Sequence, residues 1–319
     1  MPHKRRRAPT WIALLQYAAV RFVTTTMEAM PVAVARRTAR AIAWLVATVD
    51  AKHRRAAERN VAASFPGLSP AACKAFVRRV YAHLADMLVE ILFAPRLLRR
   101  STVGRYLKGH GLEHFDRAMQ AGKGALLIIG HQGNWEFIGY SVMLMGYPMH
   151  AIARPLDNPY LDRYLNRFRT GTGQEIVSKY DVLHQMGELL RRNKIVIFLA
   201  DQDARRHGLF VPFFGRPAST FKAPAVMALR HGVPLLMADL YRTGFLRHEG
   251  IVHPPLEAPP GLKGEAAVRH LVGAYTARLE GFIRRHPEQY LWLHRRWKTR
   301  PPGETGAGAA GGPGAGPVV

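Results

Sequence analysis

The sequence predicts an α/β fold, a mostly parallel central sheet flanked by helices on both faces, with a helical membrane-associating segment at its N-terminal end. Three observations carry this expectation. From Val103 onward, short apolar runs alternate with helix-length stretches, the order that builds parallel strands joined by crossover helices. The 319 residues are enough for one large core, and no linker divides them. Ahead of the alternation lie two apolar stretches with basic flanks, which fit neither a strand nor an ordinary polar leader.

The N-terminal stretch begins with His3 to Arg7 and continues into the apolar run Trp11 to Val20. Arg21 and Glu28 interrupt it before the roughly 20 apolar residues of a spanning helix accumulate. No small-x-small cleavage site closes it. An interfacial helix is expected instead, with Trp11 and Tyr17 at headgroup depth; the competing reading is an amphipathic core helix. A second run, Ala41 to Ala47, lies between Arg36, Arg37, Arg40 and Lys52, Arg54, Arg55. Residues 1–60 are therefore assigned to membrane-associating helices, 61–300 to the α/β domain, and the Gly- and Pro-rich residues 301–319 to a disordered tail.

Ser69 and Pro70 form an N-cap and first helical residue. Phe76, Val80, Leu84, Leu88 and Ile91 then predict a core-facing stripe up to Pro95. Expected strands are Ala125–Ile129, Met149–Ala153, Glu175–Val177, Ile195–Ala200 and Pro234–Leu240. Helices are expected around 135–145, 158–170, 181–192 and 221–231.

Charge narrows the partners. Lys and Arg total 46 against 22 acidic residues, a net +24, and residues 1–100 alone hold 18 basic and 5 acidic residues, or +13. Such an excess calls for an anionic partner. Two basic-flanked apolar helices favour a membrane surface over nucleic acid. With Cys73 as its single cysteine the chain forms no intrachain disulfide, which is compatible with a reducing compartment.

The chemistry centres on Gly130-His131-Gln132-Gly133-Asn134-Trp135-Glu136. The run Gly124 to Ile129 reads as a buried strand that delivers His131 to a strand-to-helix turn, a usual position for functional groups. His131 and Glu136 are about 140° apart on a continuous helix, so they meet only if the glycines bend the chain. In that case Glu136 orients the imidazole as a general base for an alcohol; the alternative is a structural hydrogen bond. Arg154, at the next strand end, can grip a phosphate or stabilise an oxyanion, or else pair on the surface with Asp157 or Asp162. Asn158 is expected to cap the following helix.

Asp201 and Asp203 follow the strand at 195. As paired acids they invite a Mg²⁺ reading, but the adjacent Arg205 and Arg206 favour an ion-pair network, and no metal is expected. Phe213 and Phe214 with Arg216 suit an amphiphile, rings along the chain and Arg216 at a phosphate. Ser219 or Thr220 can cap the next helix. Near the C-terminal end, Gln289 to Lys298 is expected to close the core beside the site. There His294 and Arg295 are candidates for phosphate contact, and Arg296 and Lys298 for solvated surface. Asn134, Asp201, Asp203, Arg205, Arg216 and His294 make up the expected substrate-binding set. No Gly-x-Ser-x-Gly elbow is present, and Cys73 is better placed for packing than for nucleophilic attack.

The string GHQGNWE resembles the His-x4-Asp/Glu motif of the glycerolipid acyltransferase superfamily, and in its longer form the branch that acylates lipid A. The strings ARPLDNPYLD at 153–162, LADQDARRHGLFVPFFGRPAST at 199–220 and HPEQYLWLHRRWKTRPPGE at 286–304 follow in that family's order, so the resemblance covers roughly residues 10 to 304. It implies a glycerol-3-phosphate acyltransferase-like fold and direct acyl transfer from a thioester, with no covalent acyl-enzyme and no cofactor. His131 and Glu136 fall on the family's catalytic positions and Arg154 on its active-site arginine. The implied donor is acyl carrier protein or acyl-CoA, the implied acceptor a lipid A precursor or related glycolipid, and the implied location the cytoplasmic face of the inner membrane, peripheral or N-terminally anchored. Other acceptors, a phosphatidylinositol mannoside or a glycerophospholipid, fit the same motif. The rival from another class is a non-catalytic basic protein that binds membranes or nucleic acid.

Overall fold

The computed structural model describes residues 10–153, 155–171, 175–178 and 182–303. Seven strands form one sheet: β1 (Leu107–His110), β2 (Ala125–Ile129), β3 (Met149–Ala153), β4 (Glu175–Ser178), β5 (Ile195–Leu199), β8 (Leu235–Gly244) and β9 (Arg247–Leu256). Their order is β1-β9-β8-β2-β5-β3-β4. Neighbours are parallel except β8 and β9, which form an antiparallel hairpin, so β9 and β1 run against the other five. The five expected strands are present. β1, β9 and a separate hairpin, β6 (Leu209–Phe213) with β7 (Arg216–Thr220), were not expected.

Every residue of β2 is buried, as a central parallel strand covered on both faces requires. Its alternate side chains divide the core. Leu126 and Ile128 face α8 (Val182–Arg191), α9 (Ala223–His231) and α10 (Gly264–Arg285), whereas Leu127 and Ile129 face α5 (Glu113–Gln120) and α6 (Trp135–Leu144). The remaining helix of the α/β part, α7 (Pro159–Thr170), is capped as expected by Asn158, whose Oδ1 accepts from the Tyr160 and Leu161 amides. Asn158 Nδ2 also donates to the Ala13 carbonyl, tying α7 to the first helix.

The N-terminal helices are α1 (Thr10–Ala29), α2 (Val32–Val49), α3 (Ala51–Ser64) and α4 (Pro70–Leu97). Among the described residues no helix is long and apolar enough to cross a membrane. Trp11, Leu15 and Phe22 of α1 and Ile42, Trp44, Leu45 and Val49 of α2 are exposed, while Tyr17 packs against Tyr160 and Tyr164.

Ser69 caps α4 as expected, its Oγ accepting from the Ala72 amide, but the helix runs through Pro95 to Leu97. The expected stripe fails at Leu88, which is 58% exposed. Twelve residues from Phe76 turn the helix 120° beyond three whole turns, so a strict spacing of four drifts off the core face. His83, Asp86 and Glu90 take the buried positions instead.

Candidate active site

His131 and Asp201 meet because β2 and β5 are parallel and in register, Ile129 opposite Leu199. Each side chain lies two residues past its strand end. The pairing continues one step further, since the Ala200 amide donates to the Ile129 carbonyl. Asp201 then uses both oxygens on one residue: Oδ1 is 2.7 Å from His131 Nδ1, and Oδ2 accepts from the His131 amide at 2.9 Å. An ionised carboxylate only accepts, so Nδ1 holds the imidazole proton and Nε2 presents its lone pair. Gln202 Nε2 donates to it at 3.3 Å, and the Trp135 ring stands edge-on 4.9 Å from the imidazole. Asp201 is fully buried. Burial alone would raise its carboxyl, but the His131 charge and the two hydrogen bonds from that residue outweigh it and hold the carboxyl below its usual range.

Asp201, not Glu136, is therefore the partner of His131. Glu136 does lie in the first turn of α6, yet its carboxylate is bound by the fork of Arg169 on α7. The charge-assisted pair with a guanidinium occupies the carboxylate that the five-residue spacing had offered to the imidazole. The Glu136 hydrogen bonds raise the Arg169 pKa against the opposing effect of burial.

Other expected site residues are also displaced. Asn134 is completely buried: Oδ1 caps α6 at the Phe137 amide, and Nδ2 donates to Glu90 and the Met87 carbonyl, so it meets no substrate. Asp201 sits behind His131 and, among the described residues, binds no arginine. Asp203 accepts from Thr299 Oγ1 and from the Arg205 amide, so the expected network with the side chains of Arg205 and Arg206 does not form among the described residues. Arg216 points away from the site, its guanidinium 3.6 Å from the Trp297 ring centre and bonded to Ser64 Oγ. Burial lowers it to about 10. Phe213 and Phe214 pack into a core with Trp292 and Trp297 rather than along a ligand. Neither Ser219 nor Thr220 caps α9; they bind the Arg205 carbonyl and the Ala218 carbonyl. Arg296, expected on the surface, is buried and donates to the Ser219 carbonyl and Thr220 Oγ1. Lys298 is exposed as expected. Arg154 lies outside the described residues, as do the polar leader and the tail from 304 onward.

The expected closing segment does reach the site. After a 3-10 turn at Pro287–Gln289, Tyr290 bridges to Gln132 and the Leu291 amide donates to the His131 carbonyl. His294 Nε2 accepts from the Asp203 amide, which places its proton on Nδ1. Burial lowers its pKa, so the ring is neutral.

His131 lines a cavity of about 2120 Å³. One part is apolar: Leu127 and Ile129 of β2, Ile197 of β5, Leu240 of β8 and Val252 of β9 form its floor, and Ile138 and Val142 of α6 its roof. Gly250 and Gly109 carry it across β9 to β1. The other part is basic, lined by the exposed Arg205, Arg206, Lys222, Arg295 and Lys298, for which no ion pair forms among the described residues. Chemically the site offers an oriented base, a slot for a hydrocarbon chain and an anion-seeking rim. Cys73 lines none of it.

A family model described as bacterial lipid A biosynthesis acyltransferase matches residues 4–299. The lipid A biosynthesis palmitoleoyltransferase of Escherichia coli K12 is 29% identical over 253 residues, 78% of this chain and 80% of that protein. The lipid A biosynthesis lauroyltransferase of the same organism is 28% identical over 77% of this chain and 79% of its own length. A phosphatidylinositol mannoside acyltransferase of Mycobacterium tuberculosis H37Rv is 29% identical over 192 residues, 59% of this chain and 58% of that protein.

Proposed function

The chain belongs to the bacterial lipid A biosynthesis acyltransferase family and is an O-acyltransferase acting on glycolipids; from that premise we propose that it moves a fatty acyl chain from a carrier thioester to a hydroxyl of a lipid A precursor, with His131 as general base. The observation that supports this reading is the His131–Asp201 pair on the wall of a large, partly apolar cavity.

The acceptor hydroxyl displaces the Gln202 amide at Nε2 and gives its proton to the imidazole. The oxygen attacks the thioester carbonyl, the tetrahedral intermediate collapses, and the thiolate leaves with the proton returned by the imidazolium. Asp201 stabilises that imidazolium at Nδ1. The displaced Gln202 amide is placed to donate to the developing oxyanion. No enzyme nucleophile enters, and a buried Cys73 remote from the cavity is consistent with direct transfer. The Glu136–Arg169 pair holds α7 against α6.

The apolar part of the cavity accommodates the acyl chain. Arg205, Arg206, Lys222, Arg295 and Lys298 bind the phosphates of the donor, acyl carrier protein or acyl-CoA, or of the acceptor, while Asp203, through the Arg205 amide, Thr299 and His294, orders the loop that presents them. No separate cofactor takes part. The exposed apolar residues of α1 and α2, together with the basic excess of the first hundred residues, support a peripheral association with an anionic membrane surface, and the lipid A precursor as acceptor would set it at the cytoplasmic face of the inner membrane.

The test incubates wild type and His131→Ala with acyl carrier protein thioester and a tetra-acylated lipid A precursor, and reads products by mass. A single acyl gain in wild type, lost in the variant, supports donor, acceptor and base together. A gain on phosphatidylinositol mannoside alone, the acceptor class in the name of the mycobacterial relative, moves the acceptor assignment to that lipid. Full activity in the variant refutes the mechanism.

A further inference from the structure

Behind the turn that carries His131 lies a buried polar cluster drawn from α4 and β8. Arg242 grips Glu90 through Nε and Nη2 at 2.8 and 2.7 Å, and its Nη1 is 2.6 Å from His83 Nδ1. A guanidinium has only donors, so Nδ1 accepts and the His83 proton sits on Nε2. That N–H is 3.2 Å from the Gly133 carbonyl and donates to it. Glu90 also accepts from Asn134 Nδ2 at 2.9 Å and from the Leu246 amide at 2.9 Å. Arg242 reaches Gly133 by a second route: its backbone exchanges two hydrogen bonds with the Gln289 side chain, and the Gln289 carbonyl accepts from the Gly133 amide.

Gly133 is thus held at both its N–H and its C=O. It has a left-handed φ of 63°, and a Cβ there would fall 2.5 Å from the Leu240 carbonyl oxygen, so the turn lies flush on β8. Two residues upstream, His131 is held on its other side by Asp201. Base catalysis requires Nε2 to meet a hydroxyl at hydrogen-bond distance, and a displacement of about 1 Å can cost about 100-fold in rate.

We propose that His83 is a positioning residue for acyl transfer: its Nε2–H, oriented by the Glu90–Arg242 pair, fixes the Gly133 carbonyl and so the path of the turn that aims His131. Burial, reinforced by the Arg242 charge, keeps the ring neutral, with a pKa pushed down to about 3, and thus preserves the single tautomer the geometry needs. This inference rests on His131 acting as the base.

The test compares His83→Gln with His83→Asn. Glutamine can carry an amide donor to the position of Nε2; asparagine ends short of it while still offering Arg242 an acceptor. Turnover is measured with acyl carrier protein thioester and tetra-acylated lipid A precursor, below the melting transitions of both variants. Native-state hydrogen exchange is followed on peptides spanning 130–137. His83→Asn is expected to lose about 10- to 100-fold in kcat with both KM values within about twofold, and to exchange faster over the turn, whereas His83→Gln stays within about threefold of wild type in kcat. Equal kcat for the two variants, a loss confined to KM, or unchanged exchange in His83→Asn would each overturn the proposal. The exchange measurement stands without activity, and His131→Ala separately tests the base, so failure of one reading is distinguishable from failure of the other.

Discussion

Replacing Asp201 with asparagine tests the site at its most specific point. The carboxylate accepts two N–H groups of His131, at Nδ1 and at the backbone amide, and it is fully buried. An amide cannot accept both. If its oxygen takes the backbone N–H, its NH2 faces Nδ1, and the imidazole avoids the clash of two donors by moving its proton to Nε2. The base is then lost in the dominant tautomer. A hydrogen bond to a charged group contributes about 1.5 to 3 kcal/mol, so the bond lost at Nδ1 alone costs about 10- to 100-fold in kcat at about 1.36 kcal/mol per decade, and the wrong tautomer adds to that. The same inversion in serine-protease triads costs about 10⁴. Initial rates with saturating donor and acceptor give kcat, and the D201N/H131A double variant should be no slower than the slower single one, because the two residues act as one unit. A D201N enzyme within tenfold of wild type in kcat, or a double variant whose losses multiply, would refute the reasoning.

Gly250 lines the apolar part of the cavity, and a Cβ there would meet Leu240 and Leu107 at ordinary distances of 3.5 and 3.9 Å, so Gly250→Val should fold and shift the acyl products toward shorter chains, read by mass spectrometry of the product lipid. Stability should fall on acidification: His83 takes its proton at 6.5 when unfolded but near 3 when folded, so the unfolded state binds more protons below about 6.5, and Glu90, lowered from 4.5 to about 2, adds a loss between those values. Chemical denaturation from pH 7 to 4 should show the decline, and His83→Gln should remove the part above about 4.5. Trp44→Glu with Leu45→Glu, both on the exposed face of α2, should reduce sedimentation with anionic vesicles about tenfold or more while leaving the melting temperature within a few degrees.

Much of the fold is legible because its signals are local. The run Ala125–Ile129 is apolar at every position, and only a strand covered on both faces explains that, so His131 could be placed at a strand end from the residues alone. Its partner could not. His-x4-Glu is a spacing along the chain, whereas Asp201 arrives through the register of two parallel strands 70 residues apart, which leaves no period to read. His131 and Asp201 each stand two residues past a strand of five, a correspondence that only the pairing of β2 with β5 reveals. β1 has four residues and β9 runs against most of the sheet, so neither resembles a buried parallel strand. The apolar spacing of α4 carries no sign of its polar members, and His83, Asp86 and Glu90 are buried because Arg36, Arg40 and Arg242 come to them from other helices and strands. Arg296 misled for the same reason: two hydrogen-bond acceptors on the β6–β7 hairpin make a buried guanidinium tolerable.

Gly133 carries a consequence for altering this protein. Its backbone conformation and the 2.5 Å clash a methyl group would make with the Leu240 carbonyl leave almost no room for sequence variation where the base is presented. The far end of the cavity is under no such constraint, because none of the hydrogen bonds that hold His131 and Asp201 among the described residues comes from β1, β9 or α5. Variation in substrate preference can therefore accumulate there without disturbing proton transfer, and a redesign of chain selectivity should begin at Gly109, Leu112 and Gly250 and leave residues 130–134 untouched.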